Sequence, residues 1–268
     1  FKWGIKGGAW ATVIGQFISA MLVVLYFAKF RHMHLERNMF KPQLIHLKAI
    51  SSLGLASCIN QIAIGAVQIV MNNTLRYYGA SSVYGSDIPI ACVGIVSKVN
   101  MVFLAICIGI AQGAQPISSY NYGAKNADRV KKTFCLLAIT CFVYSTLLWT
   151  AVELIPKAFV IIFTSDADLI TFSAPMLRIY LGGLCLFGIQ VACQMTFTSL
   201  GKAVNSIIVA VVRKFVLLIP LIYIMPHMIS DSTTGVYMAE PIADITAVIF
   251  TSVLFTFQFK KALAEIQN

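Results

Sequence analysis

Seven long apolar stretches, separated by polar or charged connections, follow one another along the sequence. A helix that crosses a bilayer needs about 20 mostly apolar residues, and each stretch is long enough. The stretches cover residues 9–28, 49–75, 88–115, 133–155, 172–200, 203–225 and 235–259. No part of the chain shows the strict alternation that is typical of β-strands. The pattern therefore predicts an all-α, polytopic membrane protein.

Composition agrees with this prediction. Of the 268 residues, 59% are hydrophobic and 11% are charged, whereas soluble domains carry about 25% charged residues. The net charge of +10 could also suit a nucleic-acid partner, but the basic residues lie between apolar stretches. Membrane topology explains that distribution, so no nucleic-acid partner is expected. The seven cysteines lie within apolar stretches, without a CxxC pair, and predict neither a metal site nor a disulfide framework.

The distribution of Lys and Arg predicts the orientation in the membrane. With seven spans and a cytoplasmic C-terminus, the inner connections carry 12 of these residues and the outer ones carry 4. The positive-inside rule then predicts a multi-pass protein of the cell membrane with Asn268 in the cytoplasm. A long basic connector, residues 31–48, separates the first span from the other six. This uneven division predicts that further N-terminal spans precede the chain.

Ionisable residues within the spans are the first candidates for a substrate or ion pathway, because a charge at mid-membrane costs about 2.5–3.5 kcal/mol. Lys98 lies near the middle of the third span. It would either line a water-filled cavity or pair with a fixed partner that joins two helices. Arg213 lies well inside the sixth span beside Lys214, and one of these two side chains could extend towards the cytoplasm while the other contacts the bundle.

Glu240 and Asp244, in the seventh span, share one helix face because they are four residues apart. Pro241 between them interrupts the regular helical hydrogen bonding. Repulsion and desolvation would both favour the neutral form of a carboxyl group here, which would suit proton uptake and release during transport. The alternative is an interfacial position, or an ion pair with Arg178.

Amide side chains form a second group of candidates. They are Asn60, Gln61, Gln68, Asn72, Gln115 and Gln194. Gln61, Gln68 and Asn72 fall on one helical stripe. Such a stripe faces either a cavity or a neighbouring helix, with which it would form interhelical hydrogen bonds.

Motifs for enzymatic chemistry are absent from the sequence. There is no GxxxxGK[ST] loop for ATP, and HEXXH and GxSxG are missing as well. We therefore expect neither an enzyme nor a bound cofactor, and any transport would have to use an ion gradient.

Four segments resemble those of MATE (multidrug and toxic compound extrusion) transporters, most closely the MepA-like branch. GIAQGAQPISSYNYGAKNADRVKK, residues 109–132, is similar to the end of the eighth transmembrane helix of that family. GIKGGAWATVIGQ resembles the entry to the sixth helix, RKFVLLIPLIYIMP the eleventh, and GVYMAEPIAD the start of the twelfth. The resemblance covers essentially the whole chain.

The resemblance implies two six-helix lobes that rock around bound cargo and export bulky, often cationic, drugs in exchange for H⁺ or Na⁺. Residues 1–30 would be the last helix of the N-terminal lobe, 31–48 the cytoplasmic connector, and 49–268 the C-terminal six-helix lobe. The partners would be organic cations, the lipid bilayer and the missing N-terminal lobe. A flippase for lipid-linked oligosaccharides or polysaccharides, of related architecture, is the alternative function.

One departure from the family concerns ion coupling. For the NorM-like branch, the resemblance implies cation-binding carboxylates on the first and fourth helices of the second lobe. The corresponding spans, residues 49–75 and 172–200, contain no Asp or Glu. For other members, the resemblance implies a coupling Asp on the first helix of the transporter, which this chain does not include. The proposed role of Glu240 and Asp244 therefore depends on the local physical argument alone.

Overall fold

The computed structural model describes residues 4–28, 44–80, 82 and 84–267 of the chain. These residues belong to two compact units, 1–50 and 51–268. The first unit contains helix α1 (Gly4–Ala28), which holds the predicted first span. Most of the predicted connector 31–48 lies outside the described residues, and the next helix begins at Leu44.

The second unit is a bundle of helices. After α2 (Leu44–Gly79), which begins in the first unit, the elements are α3 (Asp87–Gly123), α4 (Ala127–Leu154), α5 (Pro156–Ile161), α6 (Ala167–Tyr180), α7 (Leu184–Ser199), α8 (Ala203–Val211), a π-helical segment (Val212–Leu218), α9 (Ile219–Met228) and α10 (Ser232–Gln267).

The all-α, membrane-spanning fold class is confirmed. Within the described part of the chain, five helices are long and apolar enough to cross a membrane, or six if the bent pair α6–α7 counts as one span. These six match six of the seven predicted spans. The remaining predicted span, residues 49–75, lies within α2.

The predicted fifth span, residues 172–200, is a broken helix rather than a continuous one. α6 and α7 meet at an angle of 50° across the break at residues 181–183. Gly183 allows this break to approach α10 closely, because a Cβ atom there would lie 3.0 Å from the Asp244 Cβ and 3.3 Å from the Pro241 carbonyl oxygen. The apolar stretch continues through the break, and the Gly182–Gly183 dipeptide within it is a local feature that favours a turn there.

The main apolar core of the second unit joins residues of α2, α3, α4, α6, α7, α9 and α10. Tyr237 of α10 is fully buried in it, and its hydroxyl donates a 2.7 Å hydrogen bond to the Pro89 carbonyl of α3. A second apolar cluster lies where α4, α7, α8 and α10 meet, and includes Phe197, Phe255 and Phe259. The two clusters fix α10 between its neighbours, so the polar residues of α10 have defined surroundings.

Candidate functional site

Three buried ionic side chains form the main polar cluster of the second unit. Arg213 Nε donates a 2.7 Å hydrogen bond to Asp244 Oδ1, and Arg213 Nη2 donates a 3.2 Å hydrogen bond to Glu240 Oε1. Each of the three residues is at most 8% exposed. Removal of charges from water is expensive unless they are paired and hydrogen-bonded. We call Arg213, Glu240 and Asp244 the ion cluster.

Two irregular features of the backbone position the ion cluster. Glu240 and Asp244 project from adjacent turns of α10, which continues through Pro241. Arg213 lies in the π-helical segment, in which Ile219 N–H donates to the Lys214 carbonyl, five residues back. Pro220, just beyond this segment, has no N–H and crowds the carbonyl four residues before it, which favours such a wider turn. Short π-helical segments occur frequently at functional sites.

Aromatic and polar side chains of other helices complete the surroundings of the ion cluster. The Arg213 guanidinium carbon lies 4.4 Å from the centre of the Phe187 ring of α7, in a cation–π contact. Asn100 of α3 and Tyr180 of α6 line the same small cavity as the ion cluster. The cavity has a volume of about 10 Å³, roughly the space for one water molecule.

The two carboxylates of the ion cluster are held differently. Asp244 accepts the shorter hydrogen bond from Arg213. Glu240 uses only Oε1 for Arg213, while its buried Oε2 has no hydrogen-bond partner among the described residues. An unsatisfied buried carboxylate oxygen is costly, so this atom is where a proton or a small cation would be accommodated most easily.

Lys214 adds a fourth charge near the ion cluster. It is half-buried and interacts electrostatically with Arg213 and with both carboxylates. With all four groups ionised, the positive and negative charges balance. Protonation of one carboxylate would leave a net positive charge in this region.

The structure brings three of the predicted site residues, Arg213, Glu240 and Asp244, together. The sequence did not indicate that Arg213 would be the partner of the two carboxylates. Arg213 is turned into the bundle. Arg178 is the alternative partner for the carboxylates, but its Nε atom instead lies 3.8 Å from Glu153 Oε2, in a partly exposed ion pair. The predicted repulsion between Glu240 and Asp244 is thus offset by Arg213.

The other predicted pathway residues lie outside the lining of the small cavity. Lys98 is exposed on α3, and no described carboxylate lies within 4.0 Å of it. Gln68 donates a 3.2 Å hydrogen bond to Asn72 along α2. Asn60, Gln115 and Gln194 are half-buried, and Gln61 is exposed.

Sequence reasoning did not select Asn100, Tyr180 or Phe187. Asn100 was detectable in principle, because it is a polar residue in the middle of an apolar span. Tyr180 and Phe187 carry no such signal, since aromatic residues are common in any span.

An all-helical membrane bundle with buried ionic groups facing one another is typical of membrane transporters. The MatE family profile matches residues 56–224, more than half of the chain. The chain therefore belongs to the MatE family. This confirms the resemblance to MATE transporters.

Curated relatives agree with this assignment. The multidrug export protein MepA of Staphylococcus aureus strain MSSA476 is 25% identical over 245 residues, which cover 91% of this chain and 52% of that protein. MepA of Staphylococcus haemolyticus strain JCSC1435 is 22% identical over 261 residues, covering 97% of this chain and 55% of that protein. The chain thus spans about half the length of the curated relatives it matches.

Solved structures share the fold. A MATE in the straight conformation superposes with a TM-score of 0.84 at 17% identity, covering 97% of this chain and 57% of that one. An outward-facing multidrug resistance MATE family transporter of the MOP superfamily gives a TM-score of 0.81 at 19% identity, covering 98% of this chain and 58% of that one.

Proposed function

We propose that this chain forms the C-terminal six-helix lobe, with one preceding helix, of a secondary active exporter of bulky, often cationic, organic compounds. Export would be driven by an inward gradient of H⁺ or Na⁺ and accompanied by rocking of two lobes. Family membership supports the class of activity. The buried ion cluster is the observation that supports ion coupling by this chain.

Within the ion cluster, we assign proton uptake to Glu240. Its Oε2 atom is buried without a described partner, so a proton can bind there without displacing a hydrogen bond. Asp244 keeps Arg213 in place through the shorter bond and remains ionised. Glu240 thus exchanges the proton, and Asp244 positions Arg213.

Charge balance then links the proton to a cationic cargo. When Glu240 is ionised, Arg213 and Lys214 are balanced by the two carboxylates, and a nearby cation meets no net repulsion. When Glu240 is protonated, the region is positive and repels the cation. Proton binding and cation binding therefore oppose each other, and by linkage each weakens the other to the same extent.

Substitution of Glu240 by Gln tests this assignment, because Gln keeps the size of the side chain and cannot ionise. In proteoliposomes that contain this lobe within the complete two-lobed transporter, we expect proton-driven export of a cationic dye to fall roughly tenfold or more, since coupling between two linked ligands typically changes affinity by about 5–150-fold. Counterflow of the dye without a proton gradient should also weaken, because neutral Gln leaves the region positive as protonated Glu240 does, and the counterflow that remains should no longer depend on pH.

The matched control is Glu153→Gln, which neutralises a partly exposed carboxylate outside the ion cluster. Proton-driven export should be retained in this variant. If Glu240→Gln transports as well as the unmodified protein, Glu240 is not the coupling group. If a sodium gradient drives export by the unmodified protein and a proton gradient does not, the coupling ion is Na⁺.

A further inference from the structure

One end of the helical bundle in the second unit is strongly basic. The α3–α4 turn, the α7–α8 turn and the end of α10 meet there, around the second apolar cluster. Described residues at this end include Lys125, Arg129, Lys131, Lys132, Lys202, Lys260 and Lys261, against Asp128 and Glu265. The connections at the opposite end, between α2 and α3, α4 and α6, and α9 and α10, carry little charge, namely Lys157, Asp166 and Asp231. By the positive-inside rule, the basic end faces the cytoplasm.

A groove opens at this basic end between the first turns of α4 and the last turns of α10. Its volume is about 230 Å³, and it is lined by Ala127, Asp128, Lys131, Lys260, Leu263 and Ala264. Two ammonium groups, one carboxylate and an apolar wall therefore face the same space. We call it the α4–α10 groove.

The two lysines of the groove are not neutralised within the described bundle. Lys202 donates a 2.8 Å hydrogen bond to Glu265, which raises the pKa of its ammonium group and occupies the nearby carboxylate. No described carboxylate lies within 4.0 Å of Lys131 or Lys260. The groove thus presents two exposed cations that have no ion-pair partner in this part of the structure.

The apolar side of the groove continues into the interior of the bundle. Leu263 packs against the second apolar cluster, and the Phe255 and Phe259 rings of that cluster stack with centroids 4.7 Å apart. A ligand that fits has an anionic group, a hydroxyl group and an apolar portion. Free phosphate has no apolar portion, whereas phosphatidylglycerol has a phosphate, glycerol hydroxyls and acyl chains.

We propose that the α4–α10 groove binds the headgroup of phosphatidylglycerol from the cytoplasmic leaflet. The lipid phosphate lies between the Lys131 and Lys260 ammonium groups, and a glycerol hydroxyl donates to the Asp128 carboxylate. The segment of the acyl chains nearest the headgroup lies along Leu263 and Ala264. Basic pockets between transmembrane helices on the cytoplasmic side are suited to lipid headgroups. This proposal depends on the orientation of the bundle and is independent of the coupling role of Glu240.

Thermal unfolding of the full chain in detergent, with added lipid, tests the proposal. Phosphatidylglycerol should raise the Tm by about 2–4 °C relative to phosphatidylcholine, the size of shift that a modest binding energy gives in a chain of this length. Lys131→Gln combined with Lys260→Gln should abolish this increase. Lys125→Gln combined with Lys132→Gln removes the same charge from the same end but outside the groove, and should retain it.

Equal loss of the increase in both double variants would show a general electrostatic attraction and would overturn the proposal, as would an equal effect of phosphatidylcholine. Stabilisation by soluble glycerol phosphate to the same extent would also contradict it, since the lipid chains would then be unnecessary. If the lysine variant does not fold, Ala264→Leu fills the groove and keeps both charges. It should also lose the response to phosphatidylglycerol, and a retained response overturns the proposal.

Discussion

Replacement of Arg213 by Met lowers the free energy of unfolding by about 3–5 kcal/mol, because it leaves two buried carboxylates without their counter-ion. Unfolding is followed by tryptophan fluorescence in mixed micelles with increasing SDS. Additional replacement of Glu240 by Gln and Asp244 by Asn should restore a large part of the loss. That rescue distinguishes uncompensated charge from lost packing against Phe187.

Arg178→Met is the matched control for this prediction. Arg178 also pairs with a glutamate, but the pair is 3.8 Å long, and the two side chains are 47% and 34% exposed. Ion pairs of this kind contribute about 0–1 kcal/mol, so the control should change stability little. Similar decreases in the free energy of unfolding of Arg213→Met and Arg178→Met would mean that the buried carboxylates of the ion cluster do not need Arg213 as a counter-ion.

Gly188→Ala is expected to destabilise the bundle by about 1–3 kcal/mol or more, the typical cost of overpacking. Gly188 lies where α7 packs against α4. A Cβ atom there would lie 2.4 Å from the Cys141 carbonyl oxygen and 2.6 Å from the Ser145 hydroxyl. The nearest of these is a backbone atom, so the two helices must separate to relieve the contact. Unfolding in SDS-containing micelles measures this change as well.

The control for this substitution is Gly109→Ala, in the interior of α3, where no atom lies within 4 Å of the added Cβ. It should be neutral or slightly stabilising, since Ala is favoured over Gly by about 1 kcal/mol in a helix. Equal effects of the two alanine substitutions would show that close α4–α7 packing does not limit stability.

The sequence was sufficient to predict the spans, because twenty or so apolar residues have few alternatives to a membrane helix. It was insufficient for the break between α6 and α7. That bend depends on the close approach of Gly183 to Pro241 and Asp244 of α10, some sixty residues away in the chain. The Gly182–Gly183 dipeptide favours a turn at this point but does not indicate which helix packs against it. The division of the chain at residues 30 and 48 stays a prediction.

The ionic candidates were found because charge is rare and costly within an apolar span. Their pairing was not predictable, since the position along a span does not give the direction of the side chain. Lys98 illustrates this limit, because it lies deep in the sequence of its span and yet on an exposed face. Arg213 reaches the carboxylates from a π-helical segment, in which the usual helical periodicity fails.

Proton release on cargo binding tests the central claim most directly. A cationic dye is added to the two-lobed transporter in weakly buffered detergent, and a pH indicator reports the released protons. The proposed competition at Glu240 predicts release of up to about one proton per bound dye in the unmodified protein and none in Glu240→Gln. Equal proton release by the Glu240→Gln variant, with equal dye binding, would contradict the account.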